Sequence, residues 1–231
     1  MKRILITLSQ KWPEYLLEIL VLIIGIYGAF MLDNWNQQTD RRSKEISMLK
    51  NLKNNLQKDT SDLNYNLNRN KEILVSQLII LEFLDQKIDY SDSLSYHFPN
   101  ALAGTTFVSN EGAFETLKSV GVDLVSNEDL LQNITELYDM RYEYYNKVNT
   151  QYIESWFLSM PTQSQHFKEW KMGQMNLLDT DRIQSDASFR YYLGTLTYLN
   201  KSFLITICQT TLSHAETLIQ QIEAEINRLE Q

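Results

Sequence analysis

Three prolines and seven glycines in 231 residues are too few for a chain of strands and tight turns, because β-folds place those residues at nearly every reversal. The shortage excludes a β-rich architecture and leaves long helices joined by few loops. One cysteine, Cys208, excludes an intrachain disulfide and any zinc site built from cysteines. The three histidines, His97, His166 and His214, are scattered, and the residues three before them are Leu94, Gln163 and Thr211. The Glu-x-x-His signature of di-iron bundles is therefore missing. His-Glu-x-x-His, the phosphate-binding Gly-x-x-x-x-Gly-Lys, Gly-x-Gly-x-x-Gly and Gly-x-Ser-x-Gly are missing as well. No catalytic residue, cofactor site or metal ligand is expected, and the chain is not expected to be an enzyme. Positive charge is also short: 21 Lys and Arg face 29 Asp and Glu, for a net −8. Residues 1–32 hold Lys2, Arg3 and Lys11 against Glu14 and Glu18, a net +1 that leaves −9 on the remainder. Such a surface repels phosphates, so nucleic acid is excluded as a partner.

What the chain does hold is one long apolar run. Residues 15–32 contain a single charge, and Ile19 to Leu32 contain none. Eighteen helical residues reach roughly 27 Å, close to the ~30 Å hydrocarbon core of a bilayer. Eleven of them are Leu, Ile, Val or Phe, whose insertion outweighs one peripheral Glu at no more than about 3 kcal/mol. Trp12 and Trp35 flank the run at headgroup spacing, where amphipathic indoles collect. Glu18 lies one turn inside the rim, where its carboxylate snorkels to water or meets a partner helix. Gly25 and Gly28 permit close approach of a second helix without requiring it. Phe30-Met31-Leu32-Asp33 offers no small-residue cleavage site, so the run reads as a retained anchor. The expected division is a basic lead-in over 1–14, an anchor over 15–36 closed by Asn34-Trp35-Asn36, and a helical domain over 37–231. Lys and Arg tie across the anchor, and Lys11 at its near edge with Asp33 at its far edge favours an inside N-terminus. That places the body outside, which is the periplasmic side where the membrane is a bacterial inner one.

From Gln37 to Lys87 no Gly or Pro interrupts a helix. Leu49, Leu52, Leu56, Leu63, Leu67, Leu74, Leu78 and Leu81 draw a narrow apolar stripe along it. Asp89 to Gly104 reads as a loop. A short helix is expected from a cap at Ser109 or Asn110 to a left-handed Gly121, with Ala113, Phe114 and Leu117 inside. Ser126 is the expected cap of the next helix, which runs to Met160 ahead of Pro161. A short helix around Phe167 to Met175 and a final long helix capped by Ser185 or Asp186 complete the chain. In the last one Ile205, Cys208, Leu212, Ala215, Ile219, Ile222, Ile226 and Leu229 form a heptad seam that requires another helix. The predicted fold is all-α: a single transmembrane helix continuing into a long-helix antiparallel bundle, its last helix running back along the first.

Tyr138, Tyr142, Tyr145, Tyr152 and Trp156 share a helix face. They make a wide aromatic core with hydroxyls at its edge, or a face for an aromatic or apolar ligand. Cys208, on the heptad seam with no base beside it in sequence, reads as a small buried hydrophobe.

Two stretches resemble a known family. Leu17-Glu18-Ile19-Leu20-Val21-Leu22-Ile23-Ile24-Gly25-Ile26, closing in Asn34-Trp35-Asn36, is similar to the N-terminal anchor of an uncharacterised family of small single-pass proteins found mainly in Bacteroidetes. Ala113-Phe114-Glu115-Thr116-Leu117-Lys118-Ser119-Val120-Gly121, with Leu124-Val125-Ser126-Asn127 and Leu137-Tyr138, resembles its second segment. Leu17 stands where that family usually has Gly, and Tyr27-Gly28 also departs from it. The family is a domain of unknown function, so the resemblance implies placement and architecture without site residues. The expected function is a membrane-anchored helical interaction or scaffold protein, an accessory subunit whose partners are the lipid bilayer and either further copies of itself or another membrane protein. The alternative is a ligand-binding, sensor-like domain that signals through a partner subunit.

Overall fold

The computed structural model describes the backbone of residues 2–169 and 171–231. Apart from Trp12, the side chains of the lead-in 1–14 lie outside the described residues, as do those of Tyr15 and Trp170. The described chain is an all-α bundle with no strand, only an isolated bridge between Phe167 and Leu177. It divides into two compact units, Met1–Ser47 and Met48–Gln231.

In the first unit, the opening helix α1 (Lys2–Leu84) carries the apolar run and then a stretch that is polar apart from Trp35, residues 33–44. Such a stretch gains little from burial and relies on local pairs. It has them: Gln37 Nε2 donates to Asp33 Oδ2 at 2.9 Å, Thr39 Oγ1 to Trp35 O at 2.8 Å, and Lys44 lies 2.7 Å from Asp40.

In the second unit the remaining part of α1 packs in a bundle with two other long helical runs. One joins α4 (Glu128–Glu136) to α5 (Glu143–Gln163) through a π-helical segment, Leu137–Tyr142. The other joins α7 (Ala187–Leu199) to α8 (Ile205–Glu230) through a second π segment, Asn200–Leu204. The shorter α2 (Leu94–Ala101), α3 (Gly112–Val120) and α6 (Thr180–Gln184) lie in the connections. Cross-helix bonds fix the directions. Lys50 meets Glu230, Lys53 meets Glu223, Cys208 Sγ bonds Leu63 O, and Asn200 Nδ2 bonds Asn70 O, so α7 and α8 run back along α1 as the sequence leads one to expect. Tyr142 pairs with Asp59 and Tyr152 with Gln77, so the middle helix runs parallel to α1.

That parallel arrangement needs a return path, and residues 101–110 supply it as an extended strap lying back along α1. Its bonds fall at steadily lower α1 numbers: Ala101 O to Gln77, Thr105 Oγ1 to Asn70, Val108 N to Asp62, Asn110 N to Asp59, and Asn110 O to Asn55.

Several local expectations change. Within the expected loop 89–104, α2 forms despite Pro99. The carbonyl that Pro99 leaves without its helical donor, Ser95 O, accepts instead from Met175 N at 2.8 Å. No helix forms around Phe167 to Met175; Leu178 N donating to His166 O at 2.9 Å and the Phe167–Leu177 bridge hold that segment as a loop. Asn110 does not cap α3, because its side chain is engaged by Asp59. Asn127, rather than Ser126, caps α4, with Oδ1 accepting from Leu130 N at 3.1 Å. Helix α5 continues through Pro161 to Gln163, closed by Ser164 N on Met160 O. Asp186 caps α7 as expected, accepting from Ser188 N and Phe189 N, and Gly121 ends α3 with φ of 110°.

The stripe on α1 also shifts. Leu49, Leu52, Leu56 and Leu63 are fully buried as read, and Leu67 nearly so. Beyond them the buried residues are Asn70, Ile73, Ser76, Gln77, Ile80, Phe83 and Leu84, whereas Leu78 is exposed and Leu74 and Leu81 are half-buried. The inward positions 49, 52, 56, 59, 63, 66, 70, 73, 77, 80 and 84 alternate threes and fours without a slip, an unbroken heptad pattern. Four of them are polar: Asp59, Asn66, Asn70 and Gln77. Following leucines alone steps off this register where the polar residues begin.

Candidate functional site

The four polar heptad residues of α1 form a buried seam at which the strap, the middle helix and the second π segment meet. Asp59 is fully buried. Its Oδ1 accepts from Asn110 N at 2.8 Å and Asn110 Nδ2 at 2.6 Å, and its Oδ2 accepts from Tyr142 OH at 3.1 Å. Burial pushes its carboxyl above the ordinary value of 3.8, while the Asn110 and Tyr142 donors pull the other way. Further along, Thr105 Oγ1 bonds Asn70 Oδ1 at 3.3 Å. Asn200 Nδ2 reaches both Asn70 O at 2.9 Å and Gln77 Oε1 at 3.3 Å. Gln77 Nε2 donates to Ala101 O and to Tyr152 OH, which itself donates to Ala103 O at 2.8 Å. Each π segment coincides with a contact to this seam, Tyr142 closing the first and Asn200 opening the second. The extra residue in a π turn re-phases its helix there.

The aromatic residues picked out in sequence lie beside this seam. Tyr138, Tyr142, Tyr145 and Tyr152 are all buried, and Trp156 is half-buried. Phe114 of α3 stacks on Tyr138 with centroids 4.6 Å apart, and Phe107 of the strap packs edge-on against Tyr142 at 5.0 Å and Tyr145 at 5.5 Å. The face is thus packed by the protein's own rings. Burial raises the hydroxyl pKa of all four tyrosines, most strongly where Asp59 adds its charge at Tyr142.

Cys208 is fully buried on the last helix, its thiol donating to Leu63 O at 3.3 Å. Burial pushes it up to about 11. Its thiolate fraction at neutral pH is then about a hundredfold below that of an ordinary thiol. Maleimide labelling of the native chain is expected to be at least that much slower than of the urea-unfolded chain; equal rates would refute the buried assignment. Of the seam read with Cys208, Leu212, Ala215, Ile222, Ile226 and Leu229 are buried, while Ile205 and Ile219 are half-buried, with Leu204 and Leu218 taking the inward places.

His166 is buried, its Nε2 2.7 Å from Asp186 Oδ2 and its ring edge-on to Phe189. Burial would raise Asp186, but the bonds from His166, Phe189 N and Ser188 N hold its carboxyl below the ordinary range. A group lowered in the folded state stabilises it above the unfolded value and loses that contribution as pH falls. The α7 start is therefore expected to loosen as pH drops below 3.8, and D186N to flatten that part of the acid unfolding curve.

A surface groove of ≈ 260 Å³ lies between the first π segment and α8. Four of its polar residues pair with one another, Arg141 with Glu136 at 2.6 Å and Asn133 with Gln221 at 3.0 Å. Among the described residues no three His, Cys, Asp or Glu side chains are grouped to hold a metal ion. Along the apolar part of α1 and its flanks, Trp12, Glu18, Asn34, Trp35 and Asn36 are exposed, and a Cβ added at Gly25 or Gly28 would meet nothing within 4 Å. One described helix is long and apolar enough to cross a membrane, and none of its most apolar window, mean hydropathy 2.1, is buried inside the structure.

Sequence reasoning missed Asp59, Asn66, Asn70, Gln77 and Asn200, although the unbroken heptad spacing through polar residues on α1 was there to find the first four. A family model described as "Family of unknown function (DUF6090)" matches residues 18–202. No curated protein and no solved structure matches the chain.

Proposed function

We propose that this chain, which belongs to the DUF6090 family of unknown function, is a membrane-anchored helical interaction protein, an accessory subunit or scaffold with no chemistry of its own. The observation that carries this reading is the apolar part of α1. Every described side chain from Leu16 to Leu32 is exposed, so no described residue covers a surface that water disfavours at roughly 25 cal/mol per Å². Lipid, or lipid with a partner helix against Gly25 and Gly28, supplies the missing cover. The tyrosine face, closed by Phe107 and Phe114, gives the ligand-sensor alternative no comparable support. The reading places the anchor in a bacterial inner membrane with the body on the periplasmic side.

The membrane part is tested by I23D/I26D. Two central aspartates add about 5–7 kcal/mol to insertion, against about 3–7 kcal/mol gained from the apolar residues of the span. The unaltered chain is expected to stay with alkaline-washed membranes and the double variant to leave them. An unaltered chain that washes off would overturn the anchor. The interaction part is tested by extracting the tagged chain in mild detergent, sizing it and identifying co-purifying chains. A fixed stoichiometry with itself or with one membrane protein is expected, and a strictly monomeric, partnerless chain would end the scaffold reading.

A further inference from the structure

We infer that the polar seam holds ordered internal water at the level of the second π segment, between α1, α5, the strap and Asn200. The argument starts from polar atoms that the protein buries without a partner of its own. Asn66 Oδ1, Asn70 Nδ2 and Asn200 Oδ1 are all of this kind. Leaving each unpaired costs the full desolvation of a polar atom, so three in one region is a penalty that a folded chain does not ordinarily carry.

These atoms are neighbours by the bonds around them. Asn200 Nδ2 bonds Asn70 O, and Thr105 Oγ1 bonds Asn70 Oδ1. The Tyr145 hydroxyl is engaged by Thr105 and Cys208 next to them. Cys208 in turn bonds Leu63 O, one heptad step before Asn66. The side-chain amide of Asn66 spends its donor on Asp62 O, leaving its oxygen inward.

The chemistry of the set identifies the occupant. Two carbonyl oxygens require donors and one amide N–H group requires an acceptor. Water, which donates twice and accepts twice, answers this inventory, and buried waters usually make about three such bonds. An anion has no donors for the two amide oxygens. A cation is opposed by the Asn70 N–H, and an apolar molecule would leave all three groups unsatisfied. Reversing the Asn70 amide changes which atom is left over but not that one is.

The test compares water oxygen-17 relaxation dispersion of the full chain in detergent micelles with that of N200L and N66L, each checked for helicity by circular dichroism. The unaltered chain is expected to retain about one or two long-lived waters that a folded leucine variant lacks. Equal dispersion in the unaltered chain and either folded variant would overturn the proposal. If neither variant folds, an X-ray structure of the unaltered full chain decides. A water-sized peak within hydrogen-bond distance of Asn70 Nδ2 and Asn200 Oδ1 supports the site. Direct amide-to-amide bonds, or density too large for water, refutes it.

Discussion

Asp59→Ala is expected to lower the unfolding free energy by about 2–4 kcal/mol, because it removes one acceptor group from three donors at once. Tyr142 OH is left buried with no partner, and Asn110 loses the bonds from both its backbone N–H and its side chain. The loss is not local. Asn110 is where the strap is pinned nearest the start of α3, so releasing it uncovers Phe107 and with it one side of Tyr142 and Tyr145. Asp59→Asn keeps one oxygen for Asn110 and should cost about half as much. The pH dependence has a definite sign. A carboxyl raised in the folded state holds its proton more tightly there than in the unfolded chain, so its contribution is greatest below the unfolded value of 3.8 and declines as pH rises through the folded value. The advantage of the wild type over D59N is thus expected to narrow as pH rises from below 3.8. Urea midpoints of the detergent-solubilised chain at a series of pH values would measure this. An alanine variant as stable as wild type would show that the strap is not held at Asp59.

Tyr152→Ala is expected to cost about 3–5 kcal/mol, the range for removing a buried aromatic ring. The ring is 1% exposed and closes the other end of the strap. A Cβ built on Gly104 would stand 3.3 Å from its Cε1 and 2.9 Å from Ile153 Cδ1, so the strap backbone rides directly on this part of α5. Tyr152→Phe separates packing from bonding. It keeps the ring but leaves Ala103 O without its donor and Gln77 Nε2 with only Ala101 O, for about 1–2 kcal/mol. Thermal unfolding of the two variants should therefore fall in the order wild type, Y152F, Y152A, with the larger step at alanine. Equal losses would mean that the hydroxyl, not the ring, holds the strap.

The helices themselves were legible because their signals are local. Absence of Gly and Pro from Gln37 to Lys87, the Asp186 cap and the terminal seam each state a helix within a few residues, and long helices with one apolar face admit few arrangements. Leu56, Leu63, Cys208 and Ile222 are buried as their spacing predicts. The seam was not legible by the same means, because Asp59, Asn66, Asn70 and Gln77 look like solvent residues to any rule that equates inside with apolar. What holds Asp59 and Asn70 inside is a partner far along the chain, Asn110 at a separation of 51 residues and Asn200 at 130, and no local pattern announces that pairing. The same holds for Pro99, which breaks a helix in isolation and is tolerated in α2 because Met175 N arrives at Ser95 O. Likewise Ser126 looked like a cap and Asn127 is one, since Asn127 also gives its amide to Glu225 on α8 at 3.0 Å.

The pairing of α1 with the last helix sets the order in which the protein can be made. Lys50 meets Glu230, 180 residues later in the chain. At about 5–20 residues per second, the ribosome needs roughly 9–36 s to supply that partner. Throughout this interval Leu49, Leu52, Leu56 and Leu63 have no α8 to cover them. The strap and α3 are made earlier and carry Phe107, Asn110 and Phe114 to the same region of α1. A nascent chain with an intact strap is therefore shielded over part of its sticky face before the bundle closes, and one with a broken strap waits bare, at the stage when exposed apolar surface most readily leads to aggregation.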